Sequence, residues 1–400
     1  MQRDIKRNTG LLWSENVLTS TALLVGNGTI FHSFLMFAGL SSEKIGLYST
    51  AVQISQAAIM LIATSFLDKV RRLRGLYLGA VLSQVLYYAI MLCCCRGSFL
   101  TGNAFYIVAV GMAIMLNLLV GLRAVMCYKL PYMLIDMRNY GRYSVTQAML
   151  VSTAGILFSY AASKAFDVFE FLPVMRVLLI AGGVMAAFSA LCVGLFRPHA
   201  PEMTYGASKK ASIMTVLTDK RFYAYVMPNF LRGVGTGILT MIVLFARQDL
   251  QASESFMSKF VLAAQISAFL SYFLYRVLIK KLSSRQLNMV GGILFALMPL
   301  MAFTTNTTLY MAIYFVVNVG LGFFSVAIPV VVAENIEFEI AGTYTSGRLL
   351  LNSAGTALGT YLCGILVGKL PSFALFGAAA LMQLICSVAY TRFGLDKKSA

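Results

Sequence analysis

The sequence predicts an all-α membrane protein of twelve transmembrane helices, arranged as two pseudo-symmetric halves of six. Three observations carry this. Hydrophobic residues make up 59% of the 400-residue chain and charged residues only 12%, about half the charged share of a soluble domain. Blocks without any charged side chain recur along it, at Ile45–Leu67, Gly75–Cys95, Val177–Phe196, Leu349–Gly368 and Pro371–Thr391. Each has the ~20 residues a helix needs to cross ~30 Å of hydrocarbon. Landmarks of the first half also return, in the same order, in the second.

Backbone groups find no water inside a bilayer, so every span is read as a helix. The expected spans are 16–38, 44–67, 75–95, 104–127, 144–165, 172–196, 222–246, 255–279, 287–304, 309–333, 349–368 and 373–391. The basic opening MQRDIKRNTG precedes an apolar run too long for a signal peptide and without a cleavage site, so that run is the first span. The ninth follows closely on Arg285 and contains Pro299. The polar stretch around 201–220 separates a half at 1–200 from a half at 221–400.

Most of the 32 Lys and Arg residues fall in 1–15, 68–74, 128–143, 197–221, 280–286, 334–348 and 392–400. The opposite ends hold Lys44, Arg96, Lys164, Arg176, Arg247, Lys259 and Lys369, and Arg123, Arg232 and Arg276 fall within spans. The positive-inside rule then places both termini in the cytoplasm of a multi-pass protein of the cell membrane. The net charge of +17 is mostly this topology signal. It does not indicate nucleic-acid binding, because no soluble face gathers the basic residues.

The repeat rests on four landmarks. VGNGT (25–29) in the first span answers RGVGT (232–236) in the seventh, and AVQISQA (51–57) answers AAQISAF (263–269), pairing Gln53 with Gln265. Pro131, Asp136 and Gly141-Arg142 answer Pro329, Glu334 and Gly347-Arg348. Parallel six-helix halves are a transporter architecture. The GxGT element is read as a packing and hinge element of each half's first helix.

Twelve spans in a 6+6 order, together with the loop FLDKVRRLRG (66–75), resemble the major facilitator superfamily. Its signature at that loop is Gly-x-x-x-Asp-Arg/Lys-x-Gly-Arg-Arg/Lys. Asp68, Lys69 and Arg72 match, while Thr64 and Arg71 stand in place of the glycines. The resemblance implies a cytoplasmic latch between the halves, with Asp68 as its acid. The paired loops LPYMLIDMRNYGRYS (130–144) and AENIEFEIAGTYTSGR (333–348) are similar to those of melibiose-type glycoside–cation symporters. That similarity adds Asp136, Arg142, Glu334 and Arg348 to the gating residues, and Glu337, Phe338, Glu339 and Gly347 fill further places of the motif. The cation-binding carboxylates of that group's second helix are missing from Ile45–Leu67, and the antiporters' Gly-Pro pair is missing from 144–161. Neither sodium coupling by that route nor a proton-antiporting drug exporter gains support.

In this family the solute sits at mid-membrane, and the first, fourth, seventh and tenth helices line its cavity. Arg232 lies eleven residues past Arg221, roughly 16 Å along a helix. An arginine at that depth costs about 2.5–3.5 kcal/mol even on a lenient scale, so it is expected to face protein or water and to serve function. Asn229, Arg232 and Thr236 follow one helical stripe. His32 is read as a proton shuttle or as a structural hydrogen-bonder. Asn117 and Asn318, and the repeated Gln53 and Gln265, are read as solute ligands or as bonds between helices. The fifteen acidic residues are expected in loops or at span ends, and Arg123 is expected to snorkel. Arg232, Arg123 and His32 would then leave the cavity net positive.

The expected function is secondary transport of a small anionic or hydroxyl-rich organic solute by alternating access. A co-transported proton or other ion and the lipid bilayer are the further partners, with no cofactor and a monomeric state. The alternatives are a multidrug or metabolite exporter of the same fold and a sensor that does not transport. An enzyme is disfavoured: His32 and His199 stand too far apart for HExxH, and the seven cysteines form no CxxC pair.

Overall fold

The computed structural model describes residues 2–27, 29–66, 73–95, 103–134, 140–197, 220–335 and 338–392. Asp68, Lys69, Arg72, Asp136 and nearly all of the 201–220 loop lie outside the described residues, as do the side chains of Arg142 and Glu334. Fourteen α-helices run through the described residues: α1 (Gln2–Gly26), α2 (Thr29–Phe37), α3 (Ser42–Phe66), α4 (Leu73–Cys94), α5 (Asn103–Leu134), α6 (Tyr140–Val168), α7 (Phe171–Gly194), α8 (Lys220–Thr240), α9 (Ile242–Leu250), α10 (Glu254–Leu278), α11 (Ser284–Phe295), α12 (Thr307–Asn335), α13 (Phe338–Leu366) and α14 (Ser372–Arg392). Among the described residues ten segments are long and apolar enough to cross a membrane, eleven with the bent pair α8–α9. The expected twelve are reached with α3, a 25-residue helix in which the side chains of residues 61 and 63–66 lie outside the described ones.

Local chemistry sets the ends of these helices. Ser283 caps α11 in a reciprocal box with Gln286, and the Asn306 side chain accepts from the amides of Thr308 and Leu309 at the start of α12; both supply partners for N-terminal amides that the helix leaves open. Pro299 ends the regular α-helix of the ninth span. It sits at the start of a 3-10 turn, Met298–Phe303, where its missing N–H costs nothing.

The chain packs as two compact units. One consists of Met1–Ser41, Ala58–Gly206 and Glu254–Gln265, and the other of Ser42–Ala57, Ala207–Ser253 and Ile266–Ala400.

In the first unit α1 lies against α6 and α7, and α4 lies against α5 and α7. Leu12, Tyr77, Val81, Leu122, Met126, Val193 and Phe196 form one core there. Trp13 stacks on Tyr143 and donates to its carbonyl. At one end of this unit Arg7 and Arg74 donate to the Leu195 and Gly194 carbonyls at the close of α7. The Asn8 side chain clasps both backbone groups of Arg197. Cations belong at that terminus, where the helix dipole is negative.

The VGNGT stretch breaks the first span. Helix α1 ends at Gly26, and α2 begins at Thr29. Carbonyls at a break have no helical partner, and here Tyr87 donates to Gly26 O at 2.8 Å, while Tyr88 donates to Ala22 O, one turn earlier within α1, at 2.6 Å. The RGVGT stretch, by contrast, is continuous helix, and the bend of 43° falls later, between Thr240 and Ile242. The shared letters therefore mark a break in one copy and a packing seam in the other, which corrects the expectation of a hinge in both.

That seam organises the second unit. Glycines remove the side chains that would hold two backbones apart. Carbons added at Gly233 and Gly237 of α8 would lie 2.9 Å from the Thr356 and Thr360 amide nitrogens of α13, and carbons added at Gly355 and Gly359 of α13 would meet the Val234 backbone of α8 within 3.0 Å. Gly291 of α11 and Gly320 of α12 cross in the same way, and Gly235 of α8 rests on Gln383 of α14. Within this unit the first part of α3 also meets α13 glycine to glycine, at Gly46 and Gly364, and Thr50 is 3.3 Å from the Thr360 hydroxyl.

Candidate solute site

The second unit carries a buried polar cluster built on α8, α12, α13 and α14. Its centre is Arg232, whose side chain is 9% exposed. The guanidinium reaches Ser325 Oγ at 3.4 Å and lies 5.8 Å from the centre of the Phe324 ring. Its Nε is buried without a partner. No carboxylate bonds to it among the described residues.

Around Arg232 the backbone is tied down. Gln383 Nε2 donates to the Arg232 carbonyl at 3.1 Å, and Thr236 Oγ1 donates to the same carbonyl at 2.9 Å. A carbonyl only accepts, so the Gln383 amide has one sensible orientation, and its Oε1 is then left buried and unbonded. Asn229 donates to the Tyr390 hydroxyl on α14. Asn352 Oδ1 on α13 is a further buried acceptor without a partner. Buried polar atoms are normally bonded, and each orphan costs about 1–3 kcal/mol. A solute with donors and an acceptor fits that pattern.

The other expected ligands divide between cluster and scaffold. Asn229, Arg232 and Thr236 belong to the cluster, where the Thr236 hydroxyl donates within its own helix and accepts from Gln383 Nε2 at 3.4 Å. Asn318 donates to the Tyr314 carbonyl of its own helix at 2.9 Å. Gln53 is half-buried on the α3 segment of the same unit. In the first unit Asn117 accepts from Asn27 Nδ2 at 3.1 Å and donates to Ala113 O at 2.9 Å, which joins the end of α1 to α5. Gln265 lies over Gly155 of α6, where an added carbon would come within 2.8 Å of its Cδ. The two repeated glutamines thus sit in different settings. His32 is buried on α2.

The first unit holds a second polar cluster, which overturns two expectations. Glu15 is fully buried. Arg123 binds it in bidentate fashion, Nε to Oε1 at 2.9 Å and Nη2 to Oε2 at 3.3 Å, and also donates to Asn16 Oδ1 at 3.0 Å. Thr19 and Ser189 donate to Glu15 Oε1 at 3.1 and 3.4 Å. Arg123 therefore does not snorkel, and one carboxylate does lie inside the bundle. The cause is helix length. Helix α1 begins at Gln2, so residues expected in a loop before position 16 form the lower turns of the first span. The repeat of Asn8, Leu12, Glu15, Asn16 and Thr19 at spacings of three and four was the available signal.

Long apolar helices with charge confined to a few buried clusters define a polytopic membrane protein with polar interior sites. The chain belongs to the Major Facilitator Superfamily, whose family model matches residues 15–360. No curated protein matches it. Among solved structures it is similar to a D-xylose-proton symporter, with a TM-score of 0.79 at 12% identity over 99% of both chains. It is also similar to the nucleoside transporter NupG, with a TM-score of 0.68 at 15% identity, over 95% of this chain and 98% of that one. Family and fold together identify a secondary transporter of the multi-pass membrane class.

Proposed function

We propose that this transporter carries a small organic solute, anionic or rich in hydroxyls, which binds at the Arg232 cluster, and that access to it alternates between the two six-helix halves at 1–200 and 221–400. The observation that carries this reading is the setting of Arg232. The chain neutralises Arg123 with Glu15 but gives Arg232 no carboxylate among the described residues. A buried cation without a counter-charge is costly, and a solute anion would offset that cost when bound. The orphaned acceptors of Gln383 and Asn352 favour hydroxyl donors on the same solute. The two similar structures are named for a pentose and for nucleosides, both hydroxyl-rich.

Coupling to a proton follows the symporter among those structures. Glu15 is the buried carboxylate available for it among the described residues: a proton on Glu15 would loosen the bidentate grip on Arg123 and shift α1 against α5. Both termini are placed in the cytoplasm on the distribution of Lys and Arg, and the unit of function is taken as the monomer.

A ligand-stabilisation screen of the purified protein against sugars, sugar acids, organic acids and cationic drugs tests the solute reading. The strongest stabiliser is expected to carry negative charge or several hydroxyls and to lose its effect in Arg232→Ala. A cationic stabiliser indifferent to Arg232→Ala would overturn it.

A further inference from the structure

A guanidinium presents a paired edge, Nε–H beside Nη2–H, to which a carboxylate bonds side-on through both oxygens. Arg123 fills that edge with Glu15, Nε to Oε1 at 2.9 Å and Nη2 to Oε2 at 3.3 Å. On Arg232 the same edge is open. Its Nε is buried without a partner, and its Nη2 makes a long bond of 3.4 Å to Ser325 Oγ. The Phe324 ring covers one face of the guanidinium, with its centre 5.8 Å away, so an incoming group meets the edge rather than that face. Phe324 is fully buried, whereas the next residue, Ser325, is exposed. The edge is therefore reached from the Ser325 side of α12.

Charge and hydrogen bonding narrow what fits there. Arg348 is also buried, on α13, but α8 turns Gly233 and Gly237 to α13 and Arg232 to α12. Arg232 thus meets the solute as a single cation, which balances one negative charge, and its two parallel donors match two coplanar oxygens. Ser325 sets a further condition. Its hydroxyl donates to the Leu321 carbonyl at 3.1 Å and takes the bond from Arg232, so toward a solute it can only accept. A carboxylate oxygen alone beside it would be repelled. A hydroxyl on the carbon next to the carboxylate would instead donate to it. An ammonium in that place would meet the charge of Arg232 itself.

We infer that the Nε–Nη2 edge of Arg232 is a slot for a 2-hydroxy monocarboxylate. The carboxylate lies side-on to the guanidinium, as Glu15 does on Arg123, and the 2-hydroxyl donates to Ser325 Oγ. This rests on the reading of Arg232 as a solute ligand. It narrows the solute to hydroxy acids and makes Ser325 the residue that selects the hydroxyl. A sugar without a carboxylate leaves Nε unbonded, and a 2-amino acid brings a second cation to the first.

The test measures equilibrium binding to the full-length protein in detergent, in buffer free of chloride and of other carboxylates. Five probes are compared: gluconate, 2-deoxygluconate, glucosaminate, glucose 6-phosphate and glucose. Gluconate is expected to bind tighter than glucose 6-phosphate and at least about tenfold tighter than glucose, the worth of a charge-assisted pair. It is also expected to bind at least about threefold tighter than 2-deoxygluconate or glucosaminate, the worth of one hydrogen bond. Ser325→Ala, a change at an exposed position, should erase the gap between gluconate and 2-deoxygluconate while leaving the latter within about threefold of its original affinity. Arg232→Lys keeps the charge without the paired edge and should weaken both carboxylates about tenfold, a second variant should Arg232→Ala fail to fold. Absent gluconate binding, equal affinity for gluconate and glucose, or a hydroxyl preference undiminished in Ser325→Ala overturns the slot. Tightest binding by glucose or glucose 6-phosphate that is lost in Arg232→Ala removes the slot and leaves the solute site standing. Binding that is indifferent to Arg232→Ala for every probe defeats the solute site itself, so the two failures are told apart.

Discussion

Replacing Glu15 by alanine removes the one counter-charge of a buried arginine, and the geometry fixes what that is worth. Arg123 loses two charge-assisted bonds, at 2.9 and 3.3 Å, and keeps only Asn16 Oδ1 at 3.0 Å. The Thr19 and Ser189 hydroxyls lose their shared acceptor as well. Breaking a buried pair from one side costs about 3–5 kcal/mol, because the remaining charge stays out of water. Glu15→Gln is milder, at about 1.5–3 kcal/mol, since the amide oxygen still accepts from the guanidinium. The double variant Glu15→Ala, Arg123→Met removes both charges and should return to within about 1–2 kcal/mol of the parent. Reversible unfolding of the purified protein in mixed micelles, followed by helical circular dichroism, measures the cycle. The expected coupling is at least about 2 kcal/mol. Additive single-variant losses would refute the reasoning, because they would mean that each side chain is satisfied without the other.

Four further outcomes follow from the packing and the site. Gly359→Val would press a side chain onto the Val234 backbone, 3.0–3.1 Å from the added carbon, and is expected to cost at least about 2 kcal/mol of unfolding free energy. Gly377→Ala meets nothing within 4 Å and should be neutral or stabilising by up to about 1 kcal/mol. Tyr87→Phe should cost about 0.5–1.5 kcal/mol and raise amide hydrogen exchange at the α1–α2 break more than Tyr88→Phe does, since Gly26 O lies at the end of α1 while Ala22 O lies inside it. Arg232→Lys retains the charge but loses the fork, so solute affinity should fall less than in Arg232→Ala, about tenfold against a hundredfold or more.

The sequence carried the architecture because the bilayer leaves so few options. Apolar length alone placed the helices of all twelve spans, and the Pro299 segment departed from regular α-helix as its missing N–H requires. The burial of Arg232 was legible for the same reason: a charge at that depth is too costly to face lipid. The reading went astray where apolar length stopped being informative. Glu15 was assigned to a loop because the first fifteen residues are polar, yet their polar stripe is the inward face of α1. Charge counting then gave a cavity with an unpaired Arg123, and only the fold brings Glu15 to it across a long stretch of chain. Arg348 was read through its motif, whereas its neighbours depend on the α8–α13 register, which small residues set at several places at once. Gln383 and Asn352 gave no periodic or compositional signal; only tertiary packing brings Gln383 to the Arg232 carbonyl and the Asn352 backbone against Gly233. The GxGT echo showed the limit of letters. Identical glycines close a seam in α8, where α13 offers a matching groove, and accompany a break in α1, where Tyr87 takes up the freed Gly26 carbonyl.

The central claim is that the buried cluster around Arg232 is where a transported solute binds. The most direct measurement is counterflow in proteoliposomes: vesicles holding the parent protein or Arg232→Ala, preloaded with one unlabelled solute, are tested for uptake of the same labelled solute across a panel of sugars, sugar acids and sugar phosphates. The account predicts accumulation of at least one anionic or hydroxyl-rich member by the parent and loss of that accumulation in Arg232→Ala at equal reconstituted protein. Undiminished counterflow in Arg232→Ala, or counterflow confined to cationic solutes, would contradict it.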